Sequence, residues 1–263
     1  GEIVELINKI KKLKHKPKII GLTNQSKSYL GQHSDFCLNL HAGEEQSVTS
    51  KTYTASLLLM YALAVFLIKE KISKSIYADI EDLIRKVDDF FSNDNIFEEF
   101  YGNLIENFGS EWDFIELLSR GPSLSTVFQA ALNFKEVVKI YTEGNSCSTF
   151  RHGSIECLKD TTKLILISSD QKNFNLNAKL IKNMLHNWKV GKIFHITNQD
   201  SGRHKNLLEK NPNLISYSHN VSNPYLSPIM EIIILQLFMF KLAEEKGIDP
   251  GAFSFSQKIT REI

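Results

Sequence analysis

Lys163-Leu164-Ile165-Leu166-Ile167-Ser168 is an unbroken apolar run that gives way to Ser169-Asp170. A short apolar run bounded by turn formers reads as a strand buried on both faces. Strands of that kind belong to parallel sheets whose two faces are covered by helices. The flanking sequence agrees. Asn175 to Trp188 reads as a helix and Lys192 to Thr197 as the next strand. Further on, Asn213 to Tyr217 is a strand and Ser227 to Lys246 a long helix. Upstream, Phe114 to Leu118 is a strand, followed by a Gly/Pro/Ser loop and a helix over Ser125 to Tyr141. Strands alternating with helices predict βαβ units and an α/β fold.

The N-terminal part repeats the style. Glu2 to Leu13 has helical spacing, Lys18 to Leu22 and Asp35 to Leu40 read as strands, and Thr54 to Lys71 as a long helix. The apolar stretch inside that helix, Leu57 to Ile68, is shorter than the ~20 residues of a membrane span. It is expected to be a buried helix. Ser75 to Phe91 and Asn95 to Phe108 are amphipathic helices with acidic outer faces.

Leu22-Thr23-Asn24-Gln25 matches Ile196-Thr197-Asn198-Gln199 at an offset of 174. The same offset lays the Glu2 helix on the helix near Leu176, and the Thr54 helix on the one beginning near Pro228. Matching element order at one offset predicts two related lobes, the first over 1–95 and the second over 96–263. Subtracting the offset carries Asp113, where the second lobe's pattern begins, to −61. The first lobe is therefore expected to be truncated at its N-terminus.

The composition, 42% hydrophobic and 23% charged, is that of a globular protein. A formal net charge of +1 gives no electrostatic pull toward nucleic acid or an acidic membrane. Lysine-rich Lys9 to Lys18 reads as a solvated helix face. Cys37, Cys147 and Cys157 contain no C-x-x-C pair, so neither a disulfide framework nor a zinc site is expected. A reducing compartment, the cytoplasm, fits. There is no P-loop, G-x-G-x-x-G, H-E-x-x-H or G-x-S-x-G, and no metal or cofactor is implied.

Five segments have side chains suited to chemistry. Ser119-Arg120-Gly121-Pro122-Ser123-Leu124-Ser125-Thr126 joins a strand to a helix, where free N–H groups favour anions and three hydroxyls add donors; the plainer reading is an N-cap by Ser125. Ser168-Ser169-Asp170 reads as a capping turn. Glu136 and His152 are a carboxylate and an imidazole able to share proton transfer if one cleft holds both, or else a surface Glu and a structural His. Glu45 to Thr54 is hydroxyl-rich and leads into a helix, as a sugar-binding wall or a cap. The tail from Gly251 to Ile263 brings Lys258, as a lid or a solvated end.

Together these segments resemble the sugar isomerase (SIS) family, above all the isomerase half of the glutamine–fructose-6-phosphate aminotransferases and the fructosamine-6-phosphate deglycases. The resemblance rests on Ala42-Gly43-Glu44-Glu45 through Lys51-Thr52-Tyr53-Thr54, on Ala131-Leu132-Asn133-Phe134-Lys135-Glu136, on Phe150-Arg151-His152-Gly153, and on Gly247-Ile248-Asp249-Pro250 with Lys258-Ile259-Thr260. It implies two flavodoxin-like parallel-sheet lobes, a homodimer and a phosphorylated sugar or amino sugar as ligand. It implies that Glu136 moves a proton between C1 and C2, that His152 opens the sugar ring in the partner's site, and that Lys258 lies over the open-chain sugar. It implies sugar contacts from Val48, Thr49 and Ser50 and a backbone contact from Gln257.

Three departures are visible. Asn133 stands where the isomerases carry a lysine, Ser154 stands where a proline is usual, and the segment from Val48 to Lys51 is one residue short. Two functions follow as expectations: isomerisation or deglycation of an amino-sugar phosphate, and, alternatively, non-catalytic binding of a sugar phosphate.

Overall fold

Two parallel sheets organise the chain. The computed structural model describes residues 2–71, 74–198 and 211–255. Gln257 and Lys258 lie outside the described residues. The chain divides into two compact units, one taking the described residues up to Ala64 and those from Gly251 onward, the other running Val65–Pro250.

In the first unit α1 (Glu2–Lys11) precedes β1 (Ile20–Thr23), α2 (Tyr29–His33) and β2 (Phe36–Asn39). β1 and β2 pair in parallel, from Ile20 opposite Phe36 to Thr23 opposite Asn39. Asp35 fixes the entry to β2: its carboxylate accepts from the Ile19 amide at 2.8 Å and from Lys18 Nζ at 2.9 Å. α3 (Lys51–Lys69) follows, with its residues up to Ala64 in this unit and those from Val65 in the other. It corrects the expectation of a buried helix, because none of its residues is buried. Met60, Phe66, Leu67 and Ile68 are half or more exposed. Among the described residues it is the one helix long and apolar enough to cross a membrane by length and composition alone.

In the second unit α4 (Lys74–Ser92) and α5 (Asp94–Phe108) lead into β3 (Phe114–Ser119), α6 (Leu124–Val137), β4 (Tyr141–Ser146), α7 (Cys147–Phe150), β5 (Lys163–Ser168), α8 (Phe174–Lys182), β6 (Lys192–Thr197), β7 (Leu214–Ser218) and α9 (Ser227–Glu245). The five strands are all parallel, in the order β4-β3-β5-β6-β7. Counted along the chain this is 2-1-3-4-5, the flavodoxin-like order.

β4 was not expected: Ser125 to Tyr141 reads as one helix, and Thr142 onward as a loop. The helix stops at Val137, and Lys139 takes a left-handed φ of 60°. After Ile140, Tyr141–Ser146 form an edge strand. Gly144 lets α6 lie against β4, since a Cβ there would stand 3.0 Å from Val127 Cγ1 and 3.3 Å from Ala131 Cβ. Thr142, two residues earlier, donates to the Ala131 carbonyl at 2.5 Å. The helix therefore runs antiparallel to the strand.

Period-two alternation sends the strand side chains to two cores. On one face Leu118, Leu164, Leu166 and Ile193 pack with Cys147, Phe150, Ile181 and Met184. On the other, Phe238 of α9 meets Trp112, Phe134 and Phe194 at ring separations of 5.4, 6.0 and 5.7 Å.

Candidate active site

Glu136 sits on the last turn of α6, half-buried. A chain of amides along the helix orients it. Gln129 Nε2 donates to Asn133 Oδ1 at 3.3 Å, and Asn133 Nδ2 donates to Glu136 Oε2 at 3.3 Å. The spacings i, i+4 and i+3 put all three on one helical face. Asn133 is fully buried, so its neutral amide holds one carboxylate oxygen from the core side. A lysine there would add a charge that this chain lacks.

His152 is exposed, at the start of a short arch. α7 anchors one side: Ser146 Oγ accepts from the Thr149 amide at 3.0 Å, and the side chains of Cys147 and Phe150 are fully buried. The His152 amide donates to the Thr149 carbonyl at 2.9 Å. Glu136 precedes the start of β4 and His152 follows its end. Six residues of strand span roughly 17 Å. The structure thus separates the two residues within one chain, and no hydrogen bond or ion pair joins them.

Val48, Thr49 and Ser50 lie in the other unit, each half-buried, just before α3. The cap of α3 is Glu45. Its Oε1 accepts from the amides of Ser50 and Thr52 at 2.9 and 3.1 Å, and its Oε2 from Thr52 Oγ1 at 2.8 Å. A carboxylate is favoured there because it meets unpaired N–H groups and the positive end of the helix dipole. Ser47 Oγ donates to the Gly251 carbonyl at 2.6 Å, which ties this segment to the start of the C-terminal tail.

The Ser119–Thr126 segment corrects its expectation. Its hydroxyls are not spare donors for an anion. Ser123 Oγ and Thr126 Oγ1 each donate to the Glu231 carboxylate at 2.7 Å, and Ser125 Oγ donates to the Pro122 carbonyl at 2.8 Å. Ser123, not Ser125, is the N-cap residue. Glu231, fully buried on α9, serves as the anion at this helix start. Burial pushes its carboxyl above the usual range, partly offset by bonds from Ser169, Ser123 and Thr126. Ser169 also meets His219 Nε2 at 2.9 Å, while His219 Nδ1 accepts from the Val221 amide at 3.1 Å. That imidazole is neutral, pushed down to about 3 by burial and by Lys86. Asp170 caps its turn as expected, accepting from the Lys172 amide at 3.0 Å and from Asn173 Nδ2 at 2.8 Å.

Two buried carboxylates escaped the sequence reading, Glu231 and Glu116. Each is a single acid in an otherwise apolar segment, Pro228-Ile229-Met230-Glu231-Ile232 and Phe114-Ile115-Glu116-Leu117-Leu118, and that interruption was the available signal. Glu116 is 2% exposed. Burial pushes its carboxyl up to about 7; the bond from Asn145 opposes that rise and Glu143 adds to it.

No protein-family model matches the chain. The chain is similar to the glutamine–fructose-6-phosphate aminotransferase (isomerizing) of Thermococcus kodakarensis, 28% identical over 242 residues, 90% of this chain and 38% of that protein. The enzyme of the same name from Synechocystis is 28% identical over 241 residues, 89% of this chain and 37% of that protein. The chain thus spans under two fifths of these relatives' length. Among solved structures, the C-terminal domain of glucosamine-fructose-6-phosphate aminotransferase from Francisella tularensis aligns with a TM-score of 0.78 at 20% identity, covering 94% of this chain and 68% of that one. Tagatose-6-phosphate ketose/aldose isomerase from Escherichia coli aligns with a TM-score of 0.68 at 16% identity, covering 91% and 64%. The chain has the α/β fold of the sugar isomerase (SIS) family, and its homologues are glutamine–fructose-6-phosphate aminotransferases.

Proposed function

We propose that this chain is the sugar-isomerising part of a larger enzyme that acts on a phosphorylated sugar or amino sugar. The observation that carries the reading is Glu136, held by the buried Asn133 amide on the last turn of α6. Interconverting an α-hydroxy carbonyl and its isomer needs one base on one face of the substrate. Glu136 takes the proton from the carbon beside the carbonyl, and the C–H electron pair moves into an enediol. The same carboxylic acid then returns the proton to the neighbouring carbon. The C=C pair takes up that proton, the O–H electron pair of the former hydroxyl-bearing carbon closes the new carbonyl, and its hydroxyl proton passes to the former carbonyl oxygen, which balances the step.

His152 opens the cyclic sugar by giving a proton to the ring oxygen. Because β4 separates Glu136 from His152 in one chain, His152 serves the Glu136 of a second copy, which calls for a homodimer. To Lys258, which lies outside the described residues, this reading gives the stabilisation of the developing enolate charge. Val48, Thr49, Ser50 and the Gln257 backbone hold the sugar. The exposed thiols of Cys37 and Cys157 suit a reducing cytoplasm.

The test is Glu136→Gln in the intact protein. Isomerisation of fructose 6-phosphate, or release of amine from a glycated amine phosphate, is expected to fall at least ~10²-fold, with sugar-phosphate binding by calorimetry within about twofold of wild type. Undiminished turnover refutes the role of Glu136. One observation favours a second reading, sugar-phosphate binding without turnover: the partner of Glu136 is a neutral amide at Asn133. Calorimetric binding with no product from either substrate in the wild-type protein would select it.

A further inference from the structure

The scheme above gives no task to Glu116, although keeping it costs the fold. Glu116 lies mid-strand on β3, between fully buried Ile115 and Leu117 and with Leu164 opposite it on β5. A carboxyl group there is expensive, and an apolar side chain would suit the surrounding face. Its side chain takes a hydrogen bond from Asn145. Asn145 stands opposite Leu118 in the β3–β4 register and reaches back diagonally, so that Nδ2 donates to Glu116 Oε1 at 3.0 Å. The second proton of the same amide points to Ser154 Oγ, 3.3 Å away. Both donors of Asn145 are thereby committed.

Ser154 is the far anchor of the arch that carries His152. Phe150, fully buried, is the near anchor. Between them stand only Arg151, His152 and Gly153, all exposed. The arch is thus pinned by the core at one end and by Glu116–Asn145–Ser154 at the other. Backbone bonds of its own, His152 N–H to Thr149 and Glu156 N–H to Gly153, both 2.9 Å, keep it compact.

We propose that Glu116 and Asn145 are positioning residues for His152, fixing the direction of its imidazole through Ser154. The proposal rests on the ring-opening role given to His152 above. It assigns the cost of a buried acid to the placement of an exposed one-histidine arch.

The experiment compares Glu116→Leu, Asn145→Ala and Glu116→Gln in the intact protein, with fructose 6-phosphate as the probe. Leu fills the site without a bond to Asn145, while Gln keeps an acceptor oxygen. Glu116→Leu and Asn145→Ala are expected to lower kcat about tenfold, the loss of one positioning hydrogen bond, with KM within about twofold. Glu116→Gln is expected to hold kcat within about twofold of wild type. Amide hydrogen exchange of the peptide over 151–157 is expected to quicken about tenfold in the first two variants and not in the third. Unchanged kcat and exchange in Glu116→Leu overturn the proposal. So does exchange that quickens equally along β3 and α6, because that would be general loosening. If wild type turns over neither fructose 6-phosphate nor a glycated amine phosphate, the reading of function fails. The exchange comparison then decides the positioning claim alone, for or against, on the same criteria.

Discussion

α3 and α9 are helices of equal length, 19 residues each, and nearly coincide under the repeat offset of 174. Both are strongly apolar. Yet α9 has twelve buried residues and α3 has none. The difference teaches that apolar composition states a need for burial and does not supply it. α9 belongs to a unit with a five-stranded sheet and has α6 beside it, so Phe238 meets the rings of Trp112, Phe134 and Phe194. The sheet of the first unit has two strands.

The contrast makes its largest prediction at the helix centres. Phe238→Ala removes the ring at the hub of Trp112, Phe134 and Phe194 and is expected to cost about 3–5 kcal/mol. Phe66→Ala on α3, where the ring is half-exposed, is expected to stay within about 0.5 kcal/mol. Urea unfolding read by Trp112 fluorescence and by circular dichroism measures both. A Phe66 cost equal to that of Phe238 would break the contrast, since α3 would then be packed in solution.

The next effect is confined to the larger unit. The Glu116 carboxyl is held near pH 7, well above its usual value of 4.5. The folded chain therefore binds a proton that the unfolded chain releases at lower pH, and this residue's contribution weakens as pH rises from about 4.5 to 7. Glu116→Gln is expected to remove that slope. Its stability relative to wild type should rise by up to about 3 kcal/mol between pH 4 and pH 8. A difference that does not vary with pH would mean that Glu116 titrates in the usual range.

The smallest effects compare two carboxylates that each serve a helix start. Glu231→Ala strands two buried hydroxyls, Ser123 and Thr126, and is expected to cost about 2 kcal/mol. Glu45→Ala removes a partly exposed cap from α3 and is expected to cost about 1 kcal/mol. Thermal unfolding of the two variants side by side gives the ratio, and a reversal of their order would deny that burial sets the difference.

The same contrast explains what the sequence made legible. β3, β5 and β6 were readable because they are continuous apolar runs, and their parallel order followed from the helices between them. β4 was not readable. Tyr141-Thr142-Glu143-Gly144-Asn145-Ser146 has little apolar character because it is an edge strand, with Tyr141 81% exposed. Its identity comes from pairing with β3 and from the closeness of α6 at Gly144, both tertiary facts. The exposure of α3 was equally hidden, since the period of a helix says nothing of what surrounds it. At the site, Glu136 and His152 were found by their resemblance and not by spacing, and only the fold revealed that β4 lies between them. Gln129 and Asn145 gave no signal, because an amide's task depends on what it touches.

The central claim is that Glu136 carries the proton between neighbouring sugar carbons. Incubating the intact protein with fructose 6-phosphate in deuterium oxide, and following the C1 and C2 protons by NMR, tests it directly. Wild type is expected to wash deuterium into those positions, and Glu136→Gln, still binding the sugar phosphate, to leave them protiated. Deuterium entering as fast in Glu136→Gln as in wild type would contradict the account.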